Sequence, residues 1–593
     1  MEDIRKAAAN PATALAYPFD AGELLRTRRK LKKALLADGR ERIEKKIAVL
    51  GGSTTNDVCD MLELFLLAEG IRPVFYQSEY AKYWEDAMFG NPTLKAFTPD
   101  VIYVHTTFRN LVPYLPHPDD SAEAVEGRLA DAERHFSEMW ERLSAAFACP
   151  IVQNNFEYPF FRLYGNRDAT DIHGQTNFVN RLNARFQLAA AQKPHLFIHD
   201  LSYTAACYGL DRWADQSVWY MYKYAMALEA IPSLAHSVAS IIKSIFGRNK
   251  KVLALDMDNT LYSGVLGEDG IDGIKLTDGH AALQKRLKKM AKQGFFLCAA
   301  SKNEESDVLE MLGKRADFPL KKSDFTKLCI SWQSKADSIK QIAEFLNVGV
   351  DSLLFIDDNI GEISSVRSIY PGVHCIRAYE DAALTECVLE NYPGTLKFAS
   401  TAEDSLRNSD VNANAQRAEL QNSMSHEDYL RSLEATLRFS IDDEERAQRV
   451  YELSNKTNQF IFNYKRYTRT QVDDLIASPN SCIVTVSLSD RLSDSGLIGV
   501  CVGTKTGDHI DIEECFVSCR ALGRGLDEAI VLGAISDVCR RLGSDRVRVM
   551  FREGERNAPA KAFAEKNLSG YLNAAEKFEY TFPDKLIRVI RED

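Results

Sequence analysis

Short apolar runs alternate with longer amphipathic stretches along most of this chain. Arg26 to Lys46 is charged and helix-favouring, Ile47-Ala48-Val49-Leu50 reads as a buried strand, and Gly51-Gly52-Ser53-Thr54-Thr55 as a tight turn. A helix at Asp57 to Ala68 and strands at Pro73 to Tyr76, Val101 to Val104 and Ile151-Val152 follow. Such alternation predicts a doubly wound parallel sheet. A second set begins with Lys251 to Leu255, continues with a helix near Ala281 to Gln293 and a strand at Phe295 to Ala300, and includes Leu353-Leu354-Phe355-Ile356. Between them Lys335 opens an amphipathic helix, Ala336 to Leu346, with Ile339, Ile342, Phe345 and Leu346 on one face. Glu403 to Leu433 is polar and helical in pattern. From Arg438 the expected order is helix, strands and helix, with strands near Cys482 to Leu488, Gly496 to Gly503, His509 to Val517 and Arg546 to Phe551. The expected class is α/β in three domains, 41–245, 246–395 and 436–593. A helical segment (1–40) precedes them and a connecting helix (396–435) joins the last two.

Composition narrows the function without naming it. The 593 residues are 45% hydrophobic and 26% charged, ordinary for a globular chain of several domains. A net charge of −11 lacks the basic face that nucleic acid requires. No apolar run approaches the ~18 residues of a membrane span, and the start, Met1-Glu2-Asp3-Ile4-Arg5, has no signal core. Twelve scattered cysteines without a Cys-x-x-Cys pair lead us to expect reduced thiols and a cytoplasmic location.

The chemistry concentrates at strand ends. Asp256-Met257-Asp258 follows an apolar run, and alternation along an extended strand would turn both carboxylates the same way. Carboxylates that close imply a bound divalent cation or a shared proton; the structural alternative is an Asp-x-Asp helix cap. Ser301-Lys302-Asn303 ends the next run, Lys335 starts a helix, and Asp357-Asp358-Asn359 ends a third run.

Asp, Ser, Lys and Asp-Asp in that order resemble the four motifs of the haloacid dehalogenase (HAD) superfamily. The resemblance implies that Asp256 attacks phosphorus and Asp258 serves as general acid and base. Ser301 and Lys335 would hold the phosphoryl oxygens. A Mg²⁺ site would draw on Asp256, Asp258 and Asp357, with Asp358 a further or alternative ligand. Thr260 and Ser301 are about forty residues apart and Ser301 and Lys335 about thirty-three, too few for an independent cap domain of at least ~50 residues. The HAD domain is therefore expected to be capless and Rossmann-like.

The flanking regions carry weaker signals. The Gly-Gly-Ser turn resembles the nucleophile block of SGNH-type hydrolases, with Asn154 or Asn155 as candidate oxyanion asparagine, on an SGNH/flavodoxin-like sheet. The Asp-x-x-His pair that family needs is missing from Trp213 to Lys223, so Ser53 is expected to be an ordinary alcohol. Ser518-Cys519-Arg520-Ala521-Leu522-Gly523-Arg524-Gly525 resembles the acyl-CoA loop of a GNAT-like α+β domain, with Arg520, Gly523, Arg524 and Gly525 binding phosphate. Cys519 reads either as a buried thiol or as a nucleophile whose thiolate Arg520 and Arg524 favour.

Taken together, these blocks, with Gly264 to Gly270 and Thr457-Asn458-Gln459-Phe460, resemble the FkbH-like branch of HAD subfamily IIIC. The resemblance covers roughly residues 40 to 590. It departs from that family's usual pattern at Met257, Tyr262-Ser263, Ile461-Phe462-Asn463 and Leu492-Ser493. It implies an enzyme that takes D-1,3-bisphosphoglycerate, removes phosphate and loads glyceryl on an acyl carrier protein. The acceptor would be the carrier's phosphopantetheine arm, or CoA, and Cys519 would carry the acyl group on the way. A plain HAD phosphatase and a non-catalytic partner in a biosynthetic complex are the competing expectations.

Overall fold

The computed structural model describes residues 11–398, 410–411, 413–414, 416–417, 420–421, 423–457, 459–554, 557–582 and 586–592. Parts of the expected segments 1–40 and 396–435, and Asn458, lie outside the described residues. The chain forms two units, Met1–Arg248 with Tyr392–Leu396, and Asn249–Asn391 with Lys397–Asp593.

In the first unit β1 (Ile43–Gly51), β2 (Ile71–Gln77), β3 (Val101–His105), β4 (Ile151–Asn154) and β5 (Leu196–His199) form a parallel sheet. Its order is β2-β1-β3-β4-β5, the flavodoxin-like arrangement. Both faces are covered, so Ile47 to Leu50 of β1 is a continuous apolar run rather than an alternating one. Ile47 and Val49 pack toward the helices Asn56–Ala68 and Ile231–Ile245. Ala48 and Leu50 pack toward Ala122–Ala146 and Gln175–Gln192. The charged stretch expected to be helical to Lys46 divides instead. A helix capped by Asp20 spans Ala21–Leu36, and β1 has already begun at Ile43.

The second unit holds the other two sheets. β6 (Val252–Leu255), β7 (Phe296–Ser301), β8 (Lys327–Ile330), β9 (Leu353–Asp357) and β10 (His374–Arg377) are parallel in the order β10-β9-β6-β7-β8. The chain winds outward from β6 to β8 and returns beside β6 as β9. The strand order therefore reverses between β6 and β9, and open α/β sheets bind ligands at the carboxyl ends there. Ala336, Ile339 and Ile342 of the helix Lys335–Phe345 pack on Val252, Ala254 and Phe355. Each fully buried side chain of this kind contributes up to ~1.5–3 kcal/mol. Only the helices Leu266–Gly273 and Asp278–Lys292 lie between β6 and β7, so no domain is inserted there, and the glycine-rich flap is largely the first of them.

The third sheet is mixed: β11 (Thr436–Ile441), β12 (Ser481–Ser489), β13 (Asp494–Thr506), β14 (His509–Val517), β15 (Arg546–Val549), β16 (Glu576–Lys577) and β17 (Arg588–Glu592), ordered β16-β15-β14-β13-β12-β11-β17. A strand occupies Arg438, where a helix was expected, because Leu437 and Phe439 are buried on either side of exposed Arg438 with period two. The helix Asp527–Leu542 lies close on this sheet; a Cβ on Gly499 would meet Ile530 at 2.9 Å. β14 and β15 pair only from Ile510 to Ile512. Beyond that point the chain's own 460–462 segment fills the gap. Phe462 N–H donates to Cys515 O at 3.1 Å, and Arg552 N–H to Phe462 O at 2.8 Å.

Candidate functional site

At the switch point of the second sheet, β6 ends at Leu255 and Asp256 is the first residue past it. Asp256 N–H still donates to Ile356 O at 2.9 Å, so the carboxylate is fixed between β6 and β9. Ser301 Oγ, from the end of β7, donates to Asp256 Oδ1 at 3.0 Å. Lys335, first residue of its helix and buried, donates to the same oxygen and to Ala300 O at 2.6 Å. Its Nζ stands 3.2 Å from Asp357 Oδ2. Ser334 caps that helix by accepting from Asp337 N–H, which fixes where Lys335 begins.

Burial dominates the electrostatics. It pushes the Asp256 carboxyl up to about 6, with Lys335 pulling it down and Asp357 adding to the rise. The carboxyl of Asp357 is raised for the same reason. Lys335 is held above its ordinary value by Asp256 and Asp357, which outweigh its own burial.

Carboxylate oxygens of Asp256, Asp357 and Asp358 come within 4.8 Å of one another. Asp357 is 0% exposed, and beyond its ion pair with Lys335 its Oδ2 accepts no hydrogen bond. An all-oxygen donor set with a buried lone pair to spare suits a hard divalent cation. The carboxylate of Asp258, expected among the ligands, stands outside this group. Alternation does not continue past Leu255, since Met257 is buried and Asn259 has φ 50°. Asp258 Oδ1 accepts from Tyr262 OH at 2.6 Å and Leu266 N–H at 3.1 Å, and its Oδ2 from Asn303 Nδ2 at 2.9 Å. Asn303 also reaches Ser301 Oγ at 3.1 Å, tying Asp258 to the rest of the site. Tyr262 and Asn303 stand in the motifs read from the sequence but were given no role there. Asn303 had a signal in its place two residues after Ser301.

Cys519, Arg520, Gly523, Arg524 and Gly525 form a separate cluster in the same unit. Cys519 O accepts from Asn347 Nδ2 at 3.3 Å, just past the end of the Lys335–Phe345 helix. Gly523 and Gly525 have φ 79° and 74°, which requires glycine there. Cys519 is neither buried nor fully exposed. The expectation that Arg524 binds a phosphate meets a buried network instead. Its Nη2 donates to Asp410 Oδ1 at 2.9 Å, and its Nη1 to Ser495 Oγ at 2.9 Å and Asp490 Oδ2 at 3.3 Å. Arg417 joins Asp490 through two bonds of 2.9 Å. The carboxylates that claim Arg524 lie 114 and 34 positions away, which hid them from sequence reading. Arg520 Nε shares Ser518 Oγ at 3.4 Å, and its Nη2 donates to Leu497 O at 3.3 Å.

In the first unit Ser53 is 2% exposed and its Oγ makes no hydrogen bond. Asn154 is bound to His199 Nδ1 at 2.8 Å and to Tyr103 OH at 3.1 Å. Asn155 is bound to Asp200 at 2.8 Å. Asn110 instead is the asparagine at the serine turn, donating to Gly52 O at 3.0 Å. Lys223 O accepts from Thr54 N–H at 3.0 Å, in the stretch where an Asp-x-x-His pair was sought. Among the described residues no helix is long and apolar enough to cross a membrane, and none of the twelve cysteines forms a disulfide.

Comparison with known proteins bears on both units. The family model described as FkbH, N-terminal domain, matches residues 46–243. No curated protein sequence matches the chain. Among solved structures, the N-terminal part of the protein BF1531 from Bacteroides fragilis, described as containing a phosphatase domain complexed with Mg, is 24% identical. The match covers 63% of this chain and 97% of that one with a TM-score of 0.56. The lipase Lip_vut3 from a goat rumen metagenome (11% identity, 33% of this chain, 97% of that one) and the C-terminal catalytic domain of Streptococcus pneumoniae peptidoglycan O-acetyltransferase A (12%, 35%, 95%) have TM-scores of 0.25 and 0.20, too low to establish a shared fold. The likeness to the Bacteroides protein is one of fold, and residues 46–243 are similar to the FkbH N-terminal domain.

Proposed function

We propose that this protein is a Mg²⁺-dependent phosphatase of HAD type, coupled to transfer of a glyceryl group from D-1,3-bisphosphoglycerate to the thiol of an acyl carrier protein. The observation that carries the phosphatase half is the meeting of Asp256, Ser301, Lys335 and Asp357 in one buried group at a sheet switch point. Asp256 would attack phosphorus, breaking the bond to the ester oxygen and forming an aspartyl-phosphate. Asp258, held by Tyr262, Leu266 and Asn303, would give a proton to the leaving oxygen and then take one from water. Ser301 and Lys335 hold the transferred group's oxygens. Asp256, Asp357 and Asp358 would hold Mg²⁺, whose charge offsets the repulsion between phosphate and carboxylates. The Mg-complexed Bacteroides structure supports this choice of ion.

The transfer half rests on the FkbH-type N-terminal domain and on the sequence of the Cys519 loop. The first sheet's order supports an SGNH-like scaffold, the partnerless Ser53 Oγ argues against hydrolase activity there, and the mixed third sheet supports a GNAT-like acyl-handling domain. The engagement of Arg524 by Asp410 and Asp490 favours a plain phosphatase on a small metabolite as the second reading. Incubating the full chain with bisphosphoglycerate and a pantetheinylated carrier, then weighing the carrier by mass spectrometry, separates the two. A glyceryl mass on the arm supports transfer; phosphate release with an unchanged carrier leaves the phosphatase alone.

A further inference from the structure

The first sheet has a switch point of its own, between β1 and β3, and the function proposed above leaves it without a ligand. Asn110, in the loop after β3, donates from Nδ2 to Gly52 O in the turn after β1 at 3.0 Å. The same turn binds the stretch where an Asp-x-x-His pair was sought. Thr54 N–H donates to Lys223 O at 3.0 Å, and Thr54 Oγ1 to Tyr222 O at 2.7 Å. In place of a catalytic pair that stretch supplies Gln216, Trp219 and Lys223. The Arg109 guanidinium carbon lies 4.7 Å from the centroid of the Trp219 ring, and Lys223 Nζ lies 5.3 Å from it. Arg109 Nη2 donates to Gln216 Oε1 at 2.9 Å.

Two half-buried cations thus share one indole beside the turn, and among the described residues neither forms an ion pair. A ring and an amide oxygen orient a cation without neutralising it, and a charge withdrawn from water calls for a counter-charge. Glu157 supplies little of it. Its Oε2 accepts from Phe108 N–H at 3.1 Å, and burial pushes its carboxyl up to about 7, so near neutral pH it is only partly charged. The helix Asn56–Ala68 starts from the same turn without a side-chain bond from its N-cap Thr55, and its positive end adds to the field. What the cluster lacks is an anion. An arginine and a lysine together match the double charge of a phosphate monoester better than the single charge of a carboxylate.

We infer that the switch point of the first sheet binds the phosphoryl group of a small molecule, with Arg109 and Lys223 as its counter-ions. This is binding without chemistry, since no activated nucleophile stands in the turn. Gln216 takes a bond from Nη2 and leaves Arg109 with further N–H donors for phosphoryl oxygens, and the Lys223 ammonium adds its own. The neighbouring helix Gln216–Tyr222 buries none of its residues, and Tyr220 and Tyr222 are 70% and 57% exposed. Exposed apolar surface of this kind beside a charged centre offers contacts to the organic part of a phosphate ester. Nothing in this depends on the phosphatase site, which belongs to the other unit.

The test titrates the full chain, kept in EDTA to prevent metal-dependent turnover, with inorganic phosphate, glycerol 3-phosphate and glycerate. Hydrogen exchange of the 51–58 and 216–223 peptides reads where each probe binds. Both phosphates should slow exchange in these peptides, and glycerate should not. Arg109→Gln should raise the Kd for phosphate at least ~10-fold and Lys223→Gln at least ~3-fold, as loss of a charge-assisted bond does. Thermal unfolding checks that each variant is folded, and either folded variant suffices for the test. Tighter binding of the ester assigns the site to a phosphorylated metabolite and equal binding to free phosphate; both results support the inference. Glycerate protecting as well as the phosphates, no protection by any probe, or variants that bind like the parent overturns it.

Discussion

Lys335 Nζ stands 3.2 Å from Asp357 Oδ2 while it donates to Asp256 Oδ1, so one ammonium holds together two carboxylates from different strand ends. Breaking such a buried group by removing one partner leaves uncompensated charge. Lys335→Ala is therefore expected to lower phosphatase turnover by ~100-fold or more. Lys335→Arg should not rescue it, since a planar fork cannot replace a compact ammonium at this distance. Steady-state phosphate release under saturating Mg²⁺ measures both variants. Activity near the parent's in Lys335→Ala would remove Lys335 from the chemistry.

Ser53 presents the opposite case. Its buried Oγ has no hydrogen-bond partner, so no base activates it and no stabilising bond depends on it. Ser53→Ala should leave every activity within a few-fold. The unfolding free energy should change by no more than ~1 kcal/mol, in the stabilising direction if at all. A large loss of turnover would make the first unit catalytic.

Asp410 is 0% exposed and receives Arg524, Ser493 and Ser495. Next to it Val411 packs in the core of the second sheet, so this short stretch fastens the Cys519 loop's arginine to the part of the unit built on that sheet. Asp410→Ala leaves Arg524 short of a charge partner and should cost ~3–5 kcal/mol in urea-induced unfolding. A cost below ~1 kcal/mol would mean that Asp490 alone satisfies both arginines.

Acid should destabilise the first unit. Burial pushes His105 down to about 3 and His199 and His236 to about 4, against 6.5 for an unperturbed histidine. Below pH 6.5 the unfolded chain binds protons that the folded unit refuses, so stability falls with pH down to those folded values. Glu157, pushed up to about 7 by burial, works the other way: its carboxyl favours the folded state as pH falls from 7 toward 4.5. Three histidines outweigh one carboxyl. Each contributes on the order of 3 kcal/mol when fully titrated. Hydrogen exchange of the 101–105 peptide at pH 7 and pH 5, corrected for intrinsic rate, should show opening become easier at pH 5. Unchanged protection would contradict the shifts.

Period and run length made the parallel sheets legible. Ile47 to Leu50, Phe295 to Ala300 and Leu353 to Ile356 are apolar on both faces because helices cover both faces of each sheet. The residues proposed for phosphate chemistry were legible for the same reason, since each sits at a strand end or helix start that the pattern marks. Residues joined across long sequence separations were not. Asp410 meets Arg524, and Asn110 meets Gly52, through tertiary folding that no local period encodes. β11 was misread because Leu437-Arg438-Phe439 is too short a stretch to separate a period of two from one of 3.6.

Asp256→Asn probes the proposed nucleophile of the Mg²⁺-dependent phosphatase. The amide keeps the shape but removes the attacking charge, so turnover of an activated phosphate ester should fall at least ~100-fold. The parent's activity should vanish with EDTA and return with Mg²⁺. The parent, stopped in acid during turnover, should yield a phosphorylated peptide containing Asp256, which the variant lacks. Undiminished, metal-independent hydrolysis by Asp256→Asn would contradict the account.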